Sequence, residues 1–398
     1  MSRDSYEILH EHIHGWLHRK NIASSVRRVS TLPVAIATDI GLVRKENQDR
    51  VAILKFRPSS KAKDIVVVAL ADGMGGMEGG ANAASLTLST FFTEIIRNSH
   101  LPIRSCLEKA VLQANDSVLN VYKGNGGATL SAIALEDDDN ITAVNVGDSR
   151  IYYVSHEETT QLSEDDTLVA LAKKYNNHLN MDPQDIDLRF GGELVQFIGI
   201  DGTLEIHFHH IQALESGVII LSSDGAHSIG KDNLRKLYVH SANLGVYSRR
   251  VIDLASWFGG FDNASIAVID LFNTLKELDV SSGDVINLWD PFGELKVISV
   301  PNKSSSLEPL NTVELEKNNK GTSGVRKVSN KKNTDSVVSD INKATTKRKA
   351  RTKNKNKSLQ ELDEKKNGLN KNNRLDCISQ LDMSFLERNS IKGDGDDE

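Results

Sequence analysis

Five aspartates sit in one recurrent setting along this chain. "VVVALADG" ends an apolar run in Asp72 and Gly73, "ITAVNVGD" ends another in Asp148, and "GVIILSSDG" a third in Asp224. "GGFDNASIAVID" places Asp262 just before such a run, and "VRKENQDRVAIL" places Asp49 at the start of one. Short runs rich in β-branched residues and bounded by turn residues read as strands. The acids therefore fall at strand ends, where a sheet can hold them in fixed geometry. Carboxylates held close together repel, and one would normally be protonated unless a divalent cation removes the conflict. An oxygen-only donor set suits magnesium or manganese, whereas zinc calls for Cys and His clusters. Five glycines between residues 73 and 80 need a local reason, because glycine weakens helices and strands alike. Gly73 supplies one: it lets the backbone approach an ion and offers its own carbonyl. Asp-Gly alone is an ordinary turn, so the weight lies in the set. Arg44, five residues before Asp49, adds a guanidinium that can fork onto two phosphate oxygens. On spacing alone it reads as a surface salt-bridge partner.

The elements that must carry these residues follow from periodicity. Strands are expected at 35–39, 65–71, 129–135, 141–146, 151–154, 218–221 and 265–271. Apolar residues recurring every three or four positions predict helices at 81–98, 105–122, 231–238 and 248–258. "EDDDN" reads as a hairpin turn before residue 141, and "GDSR" as another before residue 151. Hairpins beside long helices, without βαβ alternation, favour antiparallel sheets covered by helices over a doubly wound parallel sheet. The small residues of "EGGANAASLTLSTFFTEII" predict a helix packed on a sheet.

With 398 residues, 39% of them hydrophobic, the chain can bury a sizeable core, and its net charge of -6 argues against wholesale nucleic-acid binding. Two distant cysteines, Cys106 and Cys377, make neither a disulfide framework nor a cysteine zinc site, so a reducing cytoplasm is the expected compartment. Neither a signal peptide nor a membrane span is read from the N-terminus. Three regions are expected: an N-terminal extension over 1–30 forming a short helix, a folded domain over 31–272, and a mostly disordered tail over 273–398. Beyond residue 300 the polar composition cannot offset the entropy of ordering. The tail holds a basic run, "KATTKRKARTKNKNK", an acidic end, "DGDDE", and an apolar stretch at helical spacing, "LDCISQLDMSFLERN". The basic run could meet an anionic partner. Residues 281–300 keep enough apolar content for a hairpin or a docking strand. No P-loop and no kinase motif set occurs.

In their order, "GLVRKENQDR", "ALADGMGG", "GGATLSAIAL", "NVGDSRIYYV", "LSSDG" and "GGFDNASIAVI" resemble the metal-dependent protein phosphatase family, protein phosphatase 2C, in its bacterial-like branch. The resemblance covers about residues 32–272. It implies an α+β fold, an αββα sandwich of two antiparallel sheets flanked by helices. It also implies a serine/threonine phosphoprotein phosphatase that uses a water activated by two ions, Mn2+ or Mg2+, and forms no covalent intermediate. Position by position, Asp72 would bridge both ions and Gly73 would lend its carbonyl. Asp224 and Asp262 would bind the second ion, Asp49 would support the site, and Arg44 would hold the phosphate. Asp148 would match an acid linked in some members to a third, weaker ion. Ser228 stands where many members carry another aspartate, and Met74 where many eukaryotic members carry histidine. A monomer acting on a phosphorylated protein is expected. The alternative is a catalytically weak relative that binds phosphoproteins or acts as a scaffold.

Overall fold

The structure, a computed structural model, describes residues 3–19, 24–74, 79–137, 141–174, 192–212, 216–279, 283 and 285–298. Chain contacts divide the protein into two units, Met1–Glu308 and Pro309–Glu398. All described residues lie in the first. The basic run, the acidic end, the stretch around Cys377 and the rest of the expected disordered tail beyond residue 298 lie outside the described residues.

Two antiparallel sheets form the frame. One has six strands: β1 (Ser25–Arg28), β2 (Val34–Asp39), β7 (Arg150–Val154), β8 (Thr159–Gln161), β10 (Val218–Ser222) and β11 (Ala264–Ile269), in the order β1-β2-β11-β10-β7-β8. The other has seven: β3 (Asp49–Phe56), β4 (Ile65–Asp72), β5 (Leu130–Leu135), β6 (Ile141–Val146), β9 (His207–Ile211), β12 (Val285–Asp290) and β13 (Gly293–Ile298), in the order β13-β12-β3-β4-β5-β6-β9. Successive strand residues face opposite sides. In β4, Val66, Val68 and Leu70 join Ile36, Ile219 and Ala267 of the six-stranded sheet in one apolar layer between the sheets. Ile65, Val67, Ala69 and Ala71 turn the other way, toward helices. Burial on both faces explains why "IVVVALA" is continuous rather than alternating.

Helices α1 (Arg3–Leu17), α2 (Gly80–Arg97) and α3 (Ile103–Tyr122) contribute to the core on the outer face of the seven-stranded sheet. The short helix α4 (Leu168–Lys174) follows β8. On the other side come α5 (Asp224–His227), α6 (Lys231–Val239) and α7 (Leu244–Trp257), where Leu234, Tyr247, Val251 and Ile252 pack with Tyr152, Ile220 and Ile266. Helix α8 (Leu271–Lys276) follows β11. The layers are thus helix, sheet, sheet, helix. Among the described residues, no helix is long and apolar enough to cross a membrane.

Several local expectations shift. "GDSR" is not a hairpin turn: β6 pairs with β5 and β9, whereas β7 pairs with β10 and β8 in the opposite sheet. The segment crosses between sheets instead, with Gly147 at φ 98 making the corner and Ser149 buried against Thr129 Oγ1 at 2.7 Å. The helix expected from residue 248 starts at Leu244, capped by Asn243, whose side chain accepts from the Val246 N–H. Gly245 and Val246 hide that first turn from a propensity reading. The strand expected to reach residue 271 stops at Ile269, because Asp270 caps α8 by accepting from Asn273 N–H. Beyond residue 272, where composition suggests a boundary, β12 and β13 still extend the seven-stranded sheet, with Leu288 and Trp289 buried.

Candidate active site

One end of the sandwich collects the acids. Asp49 opens β3 and Asp72 closes β4, and the two stand directly opposite in register. Such partners have Cα atoms about 4.5–5.5 Å apart. Asp224 begins α5 two residues after β10, Asp262 precedes β11, and Asp148 lies in the crossing after β6. Asp72 and Asp224 lie close enough to influence each other's protonation. The five acids sense one another. Burial pushes Asp49 up to about 7, aided by Asp224 and Asp262 and opposed by Ser265 and Ser223. Burial and then Asp49, Asp224, Asp148 and Asp262 push Asp72 well above the carboxylate range. Burial and Asp224 lift Asp148 to about 7, and burial and Asp262 raise Asp224.

Two buried oxygens decide whether a cation fits. Asp49 Oδ1 and Asp224 Oδ1 have no hydrogen-bond partner. Leaving a buried charged oxygen unmatched costs more than the roughly 1–3 kcal/mol of a neutral group. A hard cation would satisfy both oxygens and relieve the mutual repulsion. Among the described residues no three His, Cys, Asp or Glu side chains are already drawn into a finished cage. Asp262 Oδ2 accepts from Arg44 Nη2 at 2.5 Å, so one of the acids is paired with the nearby guanidinium. Arg44 is thus in both places the sequence allows: a salt-bridge partner at rest, and the cation beside the acidic cluster.

Gly73 is required sterically. A Cβ there would come within 2.2 Å of the Gly80 carbonyl oxygen and 2.9 Å of the Gln48 carbonyl oxygen. The start of α2 therefore rests on the backbone next to Asp72, and its small residues serve this approach. The glycine-rich segment at 75–78 lies outside the described residues.

Supporting residues escape the motif reading. Ser223 donates to Asp49 Oδ2 at 2.8 Å and accepts from Ser265 N. Asn263 accepts from Gln48 N and donates to the Ile40 and Glu46 carbonyls, tying the Arg44 loop to β11. Thr129 Oγ1 accepts from Asp72 N. The available signal was adjacency: Ser223 and Asn263 each neighbour an acid in sequence. His227 is held neutral beside Ser222. Burial and Arg150 push it down to about 3, and its Nδ1 meets Ser222 Oγ at 3.3 Å.

A protein phosphatase 2C-type protein of Streptococcus pyogenes is 30% identical over 248 residues, covering 60% of this chain and 97% of that relative. The chain belongs to the protein phosphatase 2C family. Protein phosphatase PhpP of Streptococcus pneumoniae is 26% identical over 251 residues, covering 60% of this chain and 98% of its own length. The crystal structure of the PPM Ser-Thr phosphatase MsPP from Mycobacterium smegmatis, in complex with cacodylate, superposes with a TM-score of 0.50 at 26% identity. That match covers 61% of this chain and 100% of MsPP. No protein-family model matches the chain.

In this protein phosphatase 2C, α1 is joined to the site by Arg50. Leu9, Ile13 and Leu17 bury one stripe of α1, and His10 and His14 meet Thr90 and Asn82 of α2 through Nε2. Arg50 Nε donates to Leu17 O at 2.8 Å and Ser85 Oγ at 2.9 Å, and its Nη1 donates to Asn47 O and Asp49 O. One guanidinium thus satisfies three backbone carbonyls from α1 and the approach to Asp49. Arg50→Met keeps the aliphatic stem and leaves those carbonyls unpaired. It is expected to lower unfolding stability by about 2–4 kcal/mol, read as a fall in denaturant midpoint.

Proposed function

We propose that this chain hydrolyses phosphoserine and phosphothreonine esters on proteins. The observation that carries the reading is the meeting of Asp49, Asp72 and Asp224, two with unmatched buried oxygens, beside the Arg44 guanidinium. The relatives named as protein phosphatases support the same reaction class.

The acids fit a pair of Mn2+ or Mg2+ ions. Asp72 and the Gly73 carbonyl would help hold both ions, Asp224 and Asp262 would serve the second, and Asp49 would support the pair. Asp148 lies toward a cavity shared with Arg150 and Asp165, and would be the ligand of a third, weaker ion if one binds. Bound ions would acidify a water and neutralise phosphoryl oxygens. Arg44 would fork onto the phosphate, exchanging Asp262 for the substrate's oxygens and fixing phosphorus in line for attack. Burial raises both Asp72 and Asp224, so any proton either holds must leave before it acts as an anionic ligand.

A covalent route through Cys106 finds no support. Burial pushes its thiol up to about 11, and Sγ faces the Ile95 carbonyl inside the core. The scaffold reading has no observation in its favour, since Asp49, Asp72, Asp224 and Asp262 are all retained at one end of the sandwich.

This reading takes a cytoplasmic monomer whose catalytic domain spans 31–272, with the β12–β13 hairpin added and the basic run free to meet an anionic partner. The test is hydrolysis of a phosphothreonine peptide with Mn2+ and with a chelator. Turnover is expected only with the ion. Arg44→Ala should lower kcat/KM by about 100-fold, with much of the loss in KM. Turnover without any divalent ion would overturn the assignment.

A further inference from the structure

Beside the acids lies a hollow whose apolar wall the phosphate reaction does not use. It has a volume of about 400 Å³, and Ala255, Phe258, Phe261 and Ala264 line it together with Asp224 and Asp262 themselves. Eleven large apolar side chains are exposed among the described residues, and five of them belong to its two flanking segments: Leu42, Val43, Trp257, Phe258 and Phe261. Trp257 is 88% exposed and Phe261 73%. Clustered exposure of this kind marks a contact surface, whereas scattered apolar residues do not.

The two segments are built against each other. Leu42 N donates to the Gly260 carbonyl at 2.7 Å, and Gly41 packs so close that a Cβ would meet the Asp262 and Gly260 carbonyls at 2.3 and 2.8 Å. Gly259 and Gly260 take φ 121 and 53, which turns the chain sharply after α7 and displays Phe258 and Phe261 on either side of the bend. The hollow is therefore a shaped feature of the fold. Arg44 follows Leu42 and Val43 directly, so the same short loop carries the phosphate-binding group and part of the apolar rim.

We infer that this hollow receives a large apolar side chain of the substrate, one or two residues from the phosphorylated serine or threonine. The inference rests on the phosphatase reading and adds a substrate class to it. An extended peptide advances about 3.3–3.6 Å per residue. A phosphoryl group held at Arg44 thus places the adjacent residues of its own chain over the hollow, whose rim is formed by Asp224 and Asp262. The aromatic wall of Phe258 and Phe261 favours leucine, methionine or phenylalanine there.

The test uses the full chain with Mn2+ and phosphothreonine peptides that differ at one position, carrying phenylalanine or serine at each site within two residues of the phosphothreonine. At one site, phenylalanine is expected to raise kcat/KM about tenfold over serine, mainly through KM. In Phe261→Ser and in Phe258→Ser that ratio should fall toward one. The ratio is taken within each variant, so partial loss of folded enzyme does not alter it. A flat profile, with every peptide turned over, overturns the inference alone. A flat profile with inhibition by a peptide of residues 376–388 gives the hollow to the chain's own C-terminal segment, and one with a doubled mass in sedimentation gives it to a second copy. Either result also overturns it. No turnover of any peptide would remove the phosphatase reading and this inference together.

Discussion

Asp72→Asn is expected to cut kcat toward a phosphothreonine peptide by at least about 10²–10³-fold while leaving the protein folded. Asp72 is the acid on which the other four converge electrostatically. Its replacement by a neutral amide of the same shape removes one negative charge from the centre of the cluster. The loss should appear in kcat and in the Mn2+ concentration needed for half activity. The same change has an opposite effect on the metal-free fold. A buried carboxyl pushed far above its usual range is held in the native state at a cost, and the amide removes that cost. Asp72→Asn should therefore raise the melting temperature in chelator at neutral pH while it destroys activity. Wild-type activity in this variant would refute the assignment of Asp72. A drop in melting temperature would refute the electrostatic account of the site.

Metal-free wild-type protein should lose stability as pH rises from 6.5 to 8, and Mn2+ should restore it. Asp49 and Asp148 are raised from 3.8 to about 7 in the folded protein. A folded-state value above the unfolded one means that the native protein keeps a proton the unfolded chain has already lost. Stability is then fully present below the unfolded value and is lost as pH climbs through the folded one. His207, raised by its hydrogen bond to Asp166, acts in the same direction. His10, His14 and His227 are lowered by burial and act in the opposite direction. Each can still add at most about 0.4 kcal/mol above the ordinary histidine value of about 6.5, which offsets part of the carboxylate loss. Asp49 and Asp148 should each cost about 1 kcal/mol over this interval, and the net loss of about 1 kcal/mol lowers the melting temperature by about 2 °C. Thermal unfolding in chelator across this range, beside Asp49→Asn, measures the effect. A slope unchanged in the variant would show that Asp49 does not carry it.

Much of the site was readable along the chain because the chemistry needs acids where strands end. Asp72, Asp148, Asp224 and Asp262 each border an apolar run, and the turn residues around them are local signals. The αββα arrangement was implied by the ordered motifs, and the strands at 65–71 and 141–146 stood out through β-branched composition. β8 and β9 did not. "TTQ" is three residues long, and "HFHHI" places polar imidazoles on an edge strand, so neither shows an apolar run.

Composition and residue order determined which side chains were available: an oxygen-only ligand set, one arginine beside it, and no cysteine placed for chemistry. They could not say that "GDSR" leaves one sheet for the other, since a corner and a hairpin use the same residues and differ only in what the flanking strands pair with. Tertiary structure also decided that Asp262 rests on Arg44, that Arg50 ties α1 to the approach to Asp49, and that Phe258 and Phe261 open beside the acids. The first two join residues far apart along the chain, and the last depends on how the Asp224 and Asp262 segments pack. Pairing, burial and repulsion over such separations depend on distances that exist only once the sheets have packed.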